Sequence, residues 1–447
     1  MKHYNILIIG GSAGGLSALR SCARLYPEKS KAIIKLDSKT LIPCAIPYVY
    51  GELHNSNNNL IPNGIIEKCG AEMIIGEVEK IDKKNKIVIF KDNKEISYEK
   101  LIISTGSSPI IPKIPGYEKN GIFYIKKDAK IIDEISEKIS KAQNIVIIGG
   151  GYIGVEFAEQ IKEISNHKNI TIIEGSESCL SMTFDKRYTE EIENKLRYVG
   201  INIVKNKLVS EFCGDKQNIN SVKLNDGTII DCDLAIVAIG IKPNVEFAKS
   251  SKIKLGKSKS IKVDRFMKVD KNIYACGDCV ENFSFFTHEI SNVKLASTAS
   301  MEGRLVAENL YKNNFPNPGI IGVYVTKVHD KAYAGAGYTK KAAEKEGLEI
   351  VEGYAKVINR HPGSLNGAGE IEITLIFNKK SKRIIGAQIS GPLVIGETIN
   401  ILGLAIEKKM TAYELFFMQP ATQPKISASP IMYPIVEATE DALKQFN

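Results

Sequence analysis

Three groups of residues in this 447-residue chain have types and spacings that could do chemistry. Two are glycine-rich turns, Gly10-Gly11-Ser12-Ala13-Gly14-Gly15 and Gly149-Gly150-Gly151-Tyr152-Ile153-Gly154, and the third is Cys44, fenced by Pro43 and Pro47. A glycine-rich turn between strand and helix lets backbone N–H groups and the helix N-terminus approach a pyrophosphate closely. An acid about 20 residues further on then accepts hydrogen bonds from ribose hydroxyls. Asp37 and Glu174 stand at that distance from the two turns. Cys44 follows Asp37 by one short loop, and the stretch from Ala45 to Leu53 is expected to open a helix. A cysteine at such an N-terminus would have its thiolate stabilised.

These residues need elements to position them, and the sequence repeats the same set twice. Tyr4 to Ile9 reads as an apolar strand, followed by the first turn, a helix from Leu16 to Leu25, and a strand Ile33 to Leu36 that ends in Asp37. Asn144 to Ile148, the second turn, a helix from Val155 to Ile164, and the strand Ile170 to Ile173 ending in Glu174 repeat the order. The echo extends to Leu101–Gly106 and Leu234–Gly240, each an apolar strand that closes on glycine with a proline soon after. That order fits two copies of one nucleotide-binding fold, and it places Thr105, Gly106 and Gly240 among the expected cofactor contacts. Both turns sit after a strand and before a helix, the context that separates a dinucleotide site from a flexible loop. Ser12 stands where a middle glycine is usual and is small enough for the approach. Glu174 would bond a free 2′-hydroxyl and repel a 2′-phosphate, which favours NADH over NADPH, although nearby Lys and Arg leave NADPH open.

The second copy is inserted in the first, because a strand Asn272 to Asp278 and a helix Leu295 to Tyr311 resume the earlier style. After Pro316-Asn317-Pro318-Gly319 the alternating runs Ile371–Phe377 and Arg383–Ile389 predict an antiparallel hairpin in a third, α+β domain. The expected fold is therefore α/β, with two Rossmann-like domains and a C-terminal α+β domain. The boundaries are 1–118 and 249–318 for the first domain, 119–248 for the second and 319–447 for the third.

Composition narrows the class. The net charge is +9, but the Lys residues are scattered among acids and form no basic run, so a nucleic-acid partner is not expected. The positive field would instead suit an anionic small molecule. The opening MKHYNILIIGG reads as a strand rather than a signal peptide, and no apolar run reaches the roughly 18 residues of a membrane span. Eight cysteines without secretory context predict reduced thiols in a cytoplasmic protein. Cys276-Gly-Asp-Cys279 has the spacing of a dithiol or half a zinc site. No second such pair or His cluster accompanies it, so a structural role is expected and no metal.

With GGSAGG, PCAIPY around Cys44, STG at Ser104–Gly106, GGGYIGVE and YACGDC at Tyr274 in view, the chain resembles the pyridine nucleotide-disulfide oxidoreductases along nearly its whole length. It looks most like their single-cysteine branch, which holds coenzyme A-disulfide reductases, persulfide or sulfur reductases, and NADH oxidases and peroxidases. The resemblance implies FAD in the first domain, with Asp37 at its adenosine ribose and Gly277-Asp278 at its ribityl chain. It implies NADH in the second domain, Tyr152 as a shield that swings aside for nicotinamide, and the helix near Leu295 aimed at the flavin. The third domain would make a homodimer and cover the partner's active site. Cys44 would be the redox residue: electrons would pass from NADH through flavin to an oxidised Cys44. Its thiolate would then attack the next disulfide, persulfide or polysulfide sulfur.

Three departures bear on the substrate. Ala13 stands where oxidases and peroxidases of this branch place a His, which favours sulfur substrates over oxygen. His361–Asn366 and Gln419–Pro424 lack the Tyr residues usual in coenzyme A-disulfide reductases, and Gln423 replaces a common His. The sequence ends at Asn447 with no rhodanese-like domain, so a persulfide is expected to arrive from elsewhere. Arg20 and Arg24, one helical turn apart, could contact coenzyme A phosphates or simply form a solvated face.

Overall fold

The computed structural model describes residues 1–446, which divide into two compact units. The first comprises Met1–Pro112, Phe123–Lys141 and Ile239–Ile320; the second comprises Lys113–Ile122, Ala142–Ala238 and the chain from Ile321 onward.

In the first unit, strand Lys2–Ile9 lies at the middle of a sheet, parallel to Lys31–Lys35 on one side and Glu95–Ile103 on the other. Ala71–Ile75 extends the sheet beyond Lys31–Lys35, and Ile273–Ala275 extends it beyond Glu95–Ile103. Strands covered on both faces need continuous apolar runs, which is why Ile6, Leu7, Ile8, Ile33, Ile102 and Ile103 are all fully buried. The helix after the first turn begins at Ala13, earlier than its apolar periodicity suggested, and runs to Leu25. The returning helix spans Ala296–Asn309. These two helices pack backbone to backbone: a methyl on Gly303 would lie 2.3 Å from the Gly14 carbonyl oxygen and 2.9 Å from the Ala18 nitrogen.

The second unit holds a parallel sheet in the order Ile201–Val204, Asn169–Ile173, Asn144–Ile148, Leu234–Val237, with Ile147 opposite Ile172 and Ile236. It also holds a five-stranded antiparallel sheet, ordered Val323–Val328, Lys331–Gly337, Ile384–Gly391, Glu370–Asn378, Ile350–Ile358. The expected hairpin is its centre, with Ile373 opposite Ile389 and Leu375 opposite Ala387. Helices Ile395–Glu407 and Pro434–Leu443 cover this sheet. Parallel Rossmann-like sheets and an antiparallel α+β portion are thus the architecture expected. Among the described residues no helix is long and apolar enough to cross a membrane.

Gly303 yields a prediction. Alanine gains about 1 kcal/mol of helix propensity, but overpacking against a fixed backbone costs about 1–3 kcal/mol or more. Gly303→Ala should therefore lower the thermal midpoint by several degrees, read by thermal unfolding.

Candidate active site

The two glycine turns have the same geometry. Gly10 (φ +109°) and Gly149 (φ +107°) adopt left-handed backbone that favours glycine. Five residues on, a methyl on Gly15 would sit 1.8 Å from the Gly10 oxygen, and one on Gly154 would sit 1.9 Å from the Gly149 oxygen. The helices that follow are entered through Ser12 and Gly151, and neither has a side-chain cap. Ser12 is by type a good cap, yet it leaves the first N–H groups of its helix uncapped. Elsewhere Thr339 and Thr411 do cap their helices. Two open helix N-termini with the methyls removed fit the diphosphates of bound dinucleotides.

In the first unit, Gly10, Ser12, Ala13, Gly14 and Gly15 form the turn, and Asp37 follows the neighbouring strand with its carboxylate exposed. The Lys39 backbone N–H at 3.0 Å and the Ser38 hydroxyl at 3.2 Å hold that carboxyl below its ordinary range. Thr105 and Gly106 are tied to Asn244: the Thr105 hydroxyl donates to the Asn244 carbonyl at 2.7 Å, and the Asn244 N–H donates to the Gly106 carbonyl at 2.9 Å. Asp278 accepts from the Ser107 hydroxyl at 2.6 Å, with the Lys127 ammonium 3.7 Å away. Gly277, at φ +81°, donates its N–H to Glu302 at 2.6 Å. Glu302 is fully buried on the returning helix, and burial pushes its carboxyl up to about 7. Gly240, at φ +113°, belongs to this first unit, where its carbonyl accepts from the Ile110 N–H. Arg24 is exposed and paired with Glu308 at 2.9 Å, and Arg20 is exposed on the same helix.

Cys44 is exposed, whereas five of the other cysteines are buried and Cys69 and Cys213 are half-buried. Desolvation drives the thiols of Cys22, Cys179 and Cys232 up to about 12 and raises those of Cys276 and Cys279. Cys44 does not open a helix, contrary to the expectation for Ala45–Leu53. It sits inside a 3₁₀ turn, Pro43–Ala45, and a second such turn, Pro47–Tyr50, follows. Pro47 has no N–H to give the Pro43 carbonyl, so an α-helix cannot propagate through it, and the chain closes tighter bonds from Ile46 to Pro43 and from Val49 to Ile46. The thiol is therefore presented by fixed turns rather than by a helix dipole. Asn59 anchors the loop, accepting at its carbonyl from the Ile42 N–H and donating its side-chain amide to the Ile42 carbonyl.

In the second unit, Gly149, Gly151, Tyr152, Ile153 and Gly154 form the turn, with Ile153 exposed. The Glu174 carboxylate accepts from the Gly150 N–H and the Ser176 N–H, both at 2.6 Å, and so closes the turn from beneath. Tyr152 stacks on Tyr324 at 5.8 Å between centroids, with Phe184 edge-on at 6.4 Å. Sequence alone assigns no site role to Ser107, Lys127, Asn244, Glu302, Phe184 or Tyr324. Only Ser107, adjacent to the STG run, had a signal in the sequence. Among the described residues no group of three or more His, Cys, Asp or Glu side chains converges as a metal site.

Known proteins match this chain along nearly its whole length. Residues 4–303 match the family described as pyridine nucleotide-disulphide oxidoreductase, and residues 323–431 match its dimerisation domain. The chain is 31% identical to an NADH oxidase of Methanocaldococcus jannaschii over 99% of both chains. It is equally 31% identical to a CoA-dependent NAD(P)H sulfur oxidoreductase of Pyrococcus furiosus, over 98% of both. The solved NAD-dependent persulfide reductase of A. fulgidus superposes with a TM-score of 0.90 at 29% identity, covering 99% of this chain and 83% of that one.

The buried Glu302 makes its own prediction. Its folded value of about 7 stands above the ordinary 4.5, so between those values the folded chain keeps a proton that the unfolded chain releases. Its contribution to stability is thus lost as pH rises through that window, by up to about 3 kcal/mol. Glu302→Gln cannot titrate, so its thermal midpoint relative to wild type should be higher above pH 7 than near pH 5. A difference that does not change with pH would contradict the assignment.

Proposed function

The chain belongs to the pyridine nucleotide-disulphide oxidoreductase family, and from that premise we propose an FAD-dependent NAD(P)H oxidoreductase that reduces a disulfide, persulfide or polysulfide at Cys44. The observation that carries this reading is the exposure of that thiol on a proline-fixed turn, in the same unit as the first glycine turn, while burial deactivates most of the others.

The first turn and the uncapped N-terminus of Ala13–Leu25 would hold the FAD diphosphate, Asp37 its adenosine ribose, and Asp278 its ribityl hydroxyls, with Ser107 and Lys127 orienting the Asp278 carboxylate. The helix Ala296–Asn309, whose N-cap Leu295 also supplies no side-chain bond, would present its open N–H groups to the flavin. In the second unit the Gly149–Gly154 turn would take the nicotinamide dinucleotide. Glu174, already accepting two backbone N–H groups, would offer its remaining lone pairs to the ribose hydroxyls. A carboxylate there favours NADH and leaves NADPH as the weaker donor. Tyr152 would fill the place that the nicotinamide takes and exclude water until the dinucleotide displaces it.

The Cys44 thiolate would attack one sulfur of the substrate, forming a mixed disulfide or persulfide on Cys44 and releasing the other sulfur as a thiolate that takes up a proton. FAD, when bound, supplies the two-electron relay from NAD(P)H that frees the second thiol and returns Cys44 to thiolate. A coenzyme A thiol fits the sulfur substrate, as the Pyrococcus furiosus relative is CoA-dependent by name; Arg20 is then the exposed phosphate contact, since Arg24 is engaged by Glu308. The match of residues 323–431 to a dimerisation domain, together with exposed Phe417, Ile426 and Ile431, supports a homodimer built through that domain. Reduced thiols throughout support a cytoplasmic setting.

Oxygen reduction is the second reading, favoured by the equally similar Methanocaldococcus jannaschii oxidase. Steady-state rates with coenzyme A disulfide, polysulfide and oxygen separate the two. Cys44→Ser should lose at least about 100-fold in sulfur-substrate kcat, the scale of losing a nucleophile, yet keep rapid flavin bleaching by NADH. Full sulfur activity in that variant would refute the thiolate mechanism.

A further inference from the structure

Strand Val323–Val328 lies along the helix Tyr152–Ile164, and the contacts between them repeat with the helix turn. Tyr152 stacks nearly parallel on Tyr324, with 12° between the ring planes. One turn on, Glu156 accepts from the Thr326 hydroxyl at 2.9 Å. A further turn on, Glu159 accepts from the His329 N–H and lies 3.6 Å from the Lys327 ammonium. Positions 152, 156 and 159 share one helix face, and 324 and 326 share one strand face, so the match is a continuous seam.

The start of that seam is held differently from the rest. The Tyr152 hydroxyl is buried without a hydrogen-bond partner, and Thr183 beside it donates to the Leu180 carbonyl instead. Two rings pack on Tyr152, Tyr324 against its face and Phe184 at its edge, and the Thr183 hydroxyl is its polar neighbour. A side chain held chiefly by ring packing, with its hydroxyl weakly satisfied, leaves its place at little polar cost. The helix turn from which it projects is fixed at Glu156 by Thr326.

We propose that Tyr324 and Thr326 are positioning residues for the nicotinamide entrance: Tyr324 sets how firmly Tyr152 stays in its closed place, and Thr326 fixes the helix turn that carries it. This rests on the reading of the second glycine turn as the nicotinamide site. The closed place competes with the dinucleotide, so the apparent affinity falls by the fraction of molecules that are open. Glu156 gives the seam a pH dependence. Burial pushes its carboxyl up to about 7, against the Thr326 bond that favours the ionised form, while Glu159 raises it further. The Tyr152 hydroxyl also faces it, Lys327 and Glu163 act on Glu159 beside it, and the parallel strands Asn144–Ile148, Asn169–Ile173 and Ile201–Val204 carry no titratable side chain.

The test uses the full-length holoprotein, with flavin reduction by NADH followed anaerobically across a pH series, and KM and kcat measured for NADH and for the sulfur substrate. Tyr324→Leu should lower the NADH KM several-fold and leave the sulfur-substrate KM unchanged, whereas Tyr324→Phe should behave as wild type. Thr326→Val should raise the pH midpoint of flavin reduction by about one unit, and Thr326→Ser should restore it; thermal midpoints confirm that each variant is folded. Wild-type pH profiles in Thr326→Val, or equal changes in both KM values in Tyr324→Leu, would overturn the proposal alone. Failure of NADH to bleach the wild-type flavin would overturn the nicotinamide reading and the proposal with it.

Discussion

The approach of backbone to backbone at the glycine turns governs what else each unit can do. A methyl on Gly10 would fall 1.9 Å from the Ser104 carbonyl oxygen, so strand Lys2–Ile9 could not end where it does beside Glu95–Ile103 with any other residue there. Gly15 lets the helix fold back over its own turn, and Gly14 with Gly303 lets the returning helix lie on it without a layer of side chains between them. That contact carries Glu302 to the N–H of Gly277, immediately before Asp278. One absent side chain thus sets the position of the next, from the first turn to the acid expected at the ribityl chain.

The same logic separates acids that hold the protein from acids left to hold a ligand. Glu302 is fully buried, and its proton affinity rises because water cannot reach it. Glu174 is already bonded to two backbone N–H groups, so its carboxylate is held in one orientation. Asp37, by contrast, is exposed and bonded only within its own loop, which leaves most of its acceptor capacity to solvent or ligand. The thiols divide in the same way: burial raises those of Cys22 and Cys276, whereas Cys44 is exposed.

The parallel strands and the two turns were legible because each rests on local chemistry: unbroken apolar runs, glycines at fixed offsets, and an acid at strand end. The hairpin at Ile371–Ile389 was legible from its alternation. The 3₁₀ turns around Cys44 were not, because the hydrogen bond that Pro47 cannot donate is lost at a single position. Nor could Asn244, Glu302 or Tyr324 be read from spacing. Asn244 and Tyr324 are brought to their sites by pairings more than 130 residues apart in sequence, and Glu302 acts through a helix whose residues show only ordinary amphipathic spacing. Gly240 was read as the close of the second copy, yet it lies in the first unit, as the antiparallel pairing of Ile241–Pro243 with Ser107–Pro109 requires.

A single exposed cysteine also constrains the chemistry proposed for it. Enzymes that store electrons in an internal disulfide need a second thiol within about 6–7 Å between Cα atoms. The neighbouring cysteines in the first unit are buried or half-buried and lie on other elements: Cys22 in a helix, Cys69 at a helix end, and Cys276 and Cys279 beneath the Asp278 loop. A Cys44 that reacts with sulfur must therefore keep part of its substrate as a mixed disulfide or persulfide until electrons arrive. The protein then has to hold that fragment in place, which makes recognition of the thiol's non-sulfur portion as important as the reactivity of the sulfur. The basic, exposed Arg20 and the proline-fixed rim of Cys44 are the features of this unit suited to that demand.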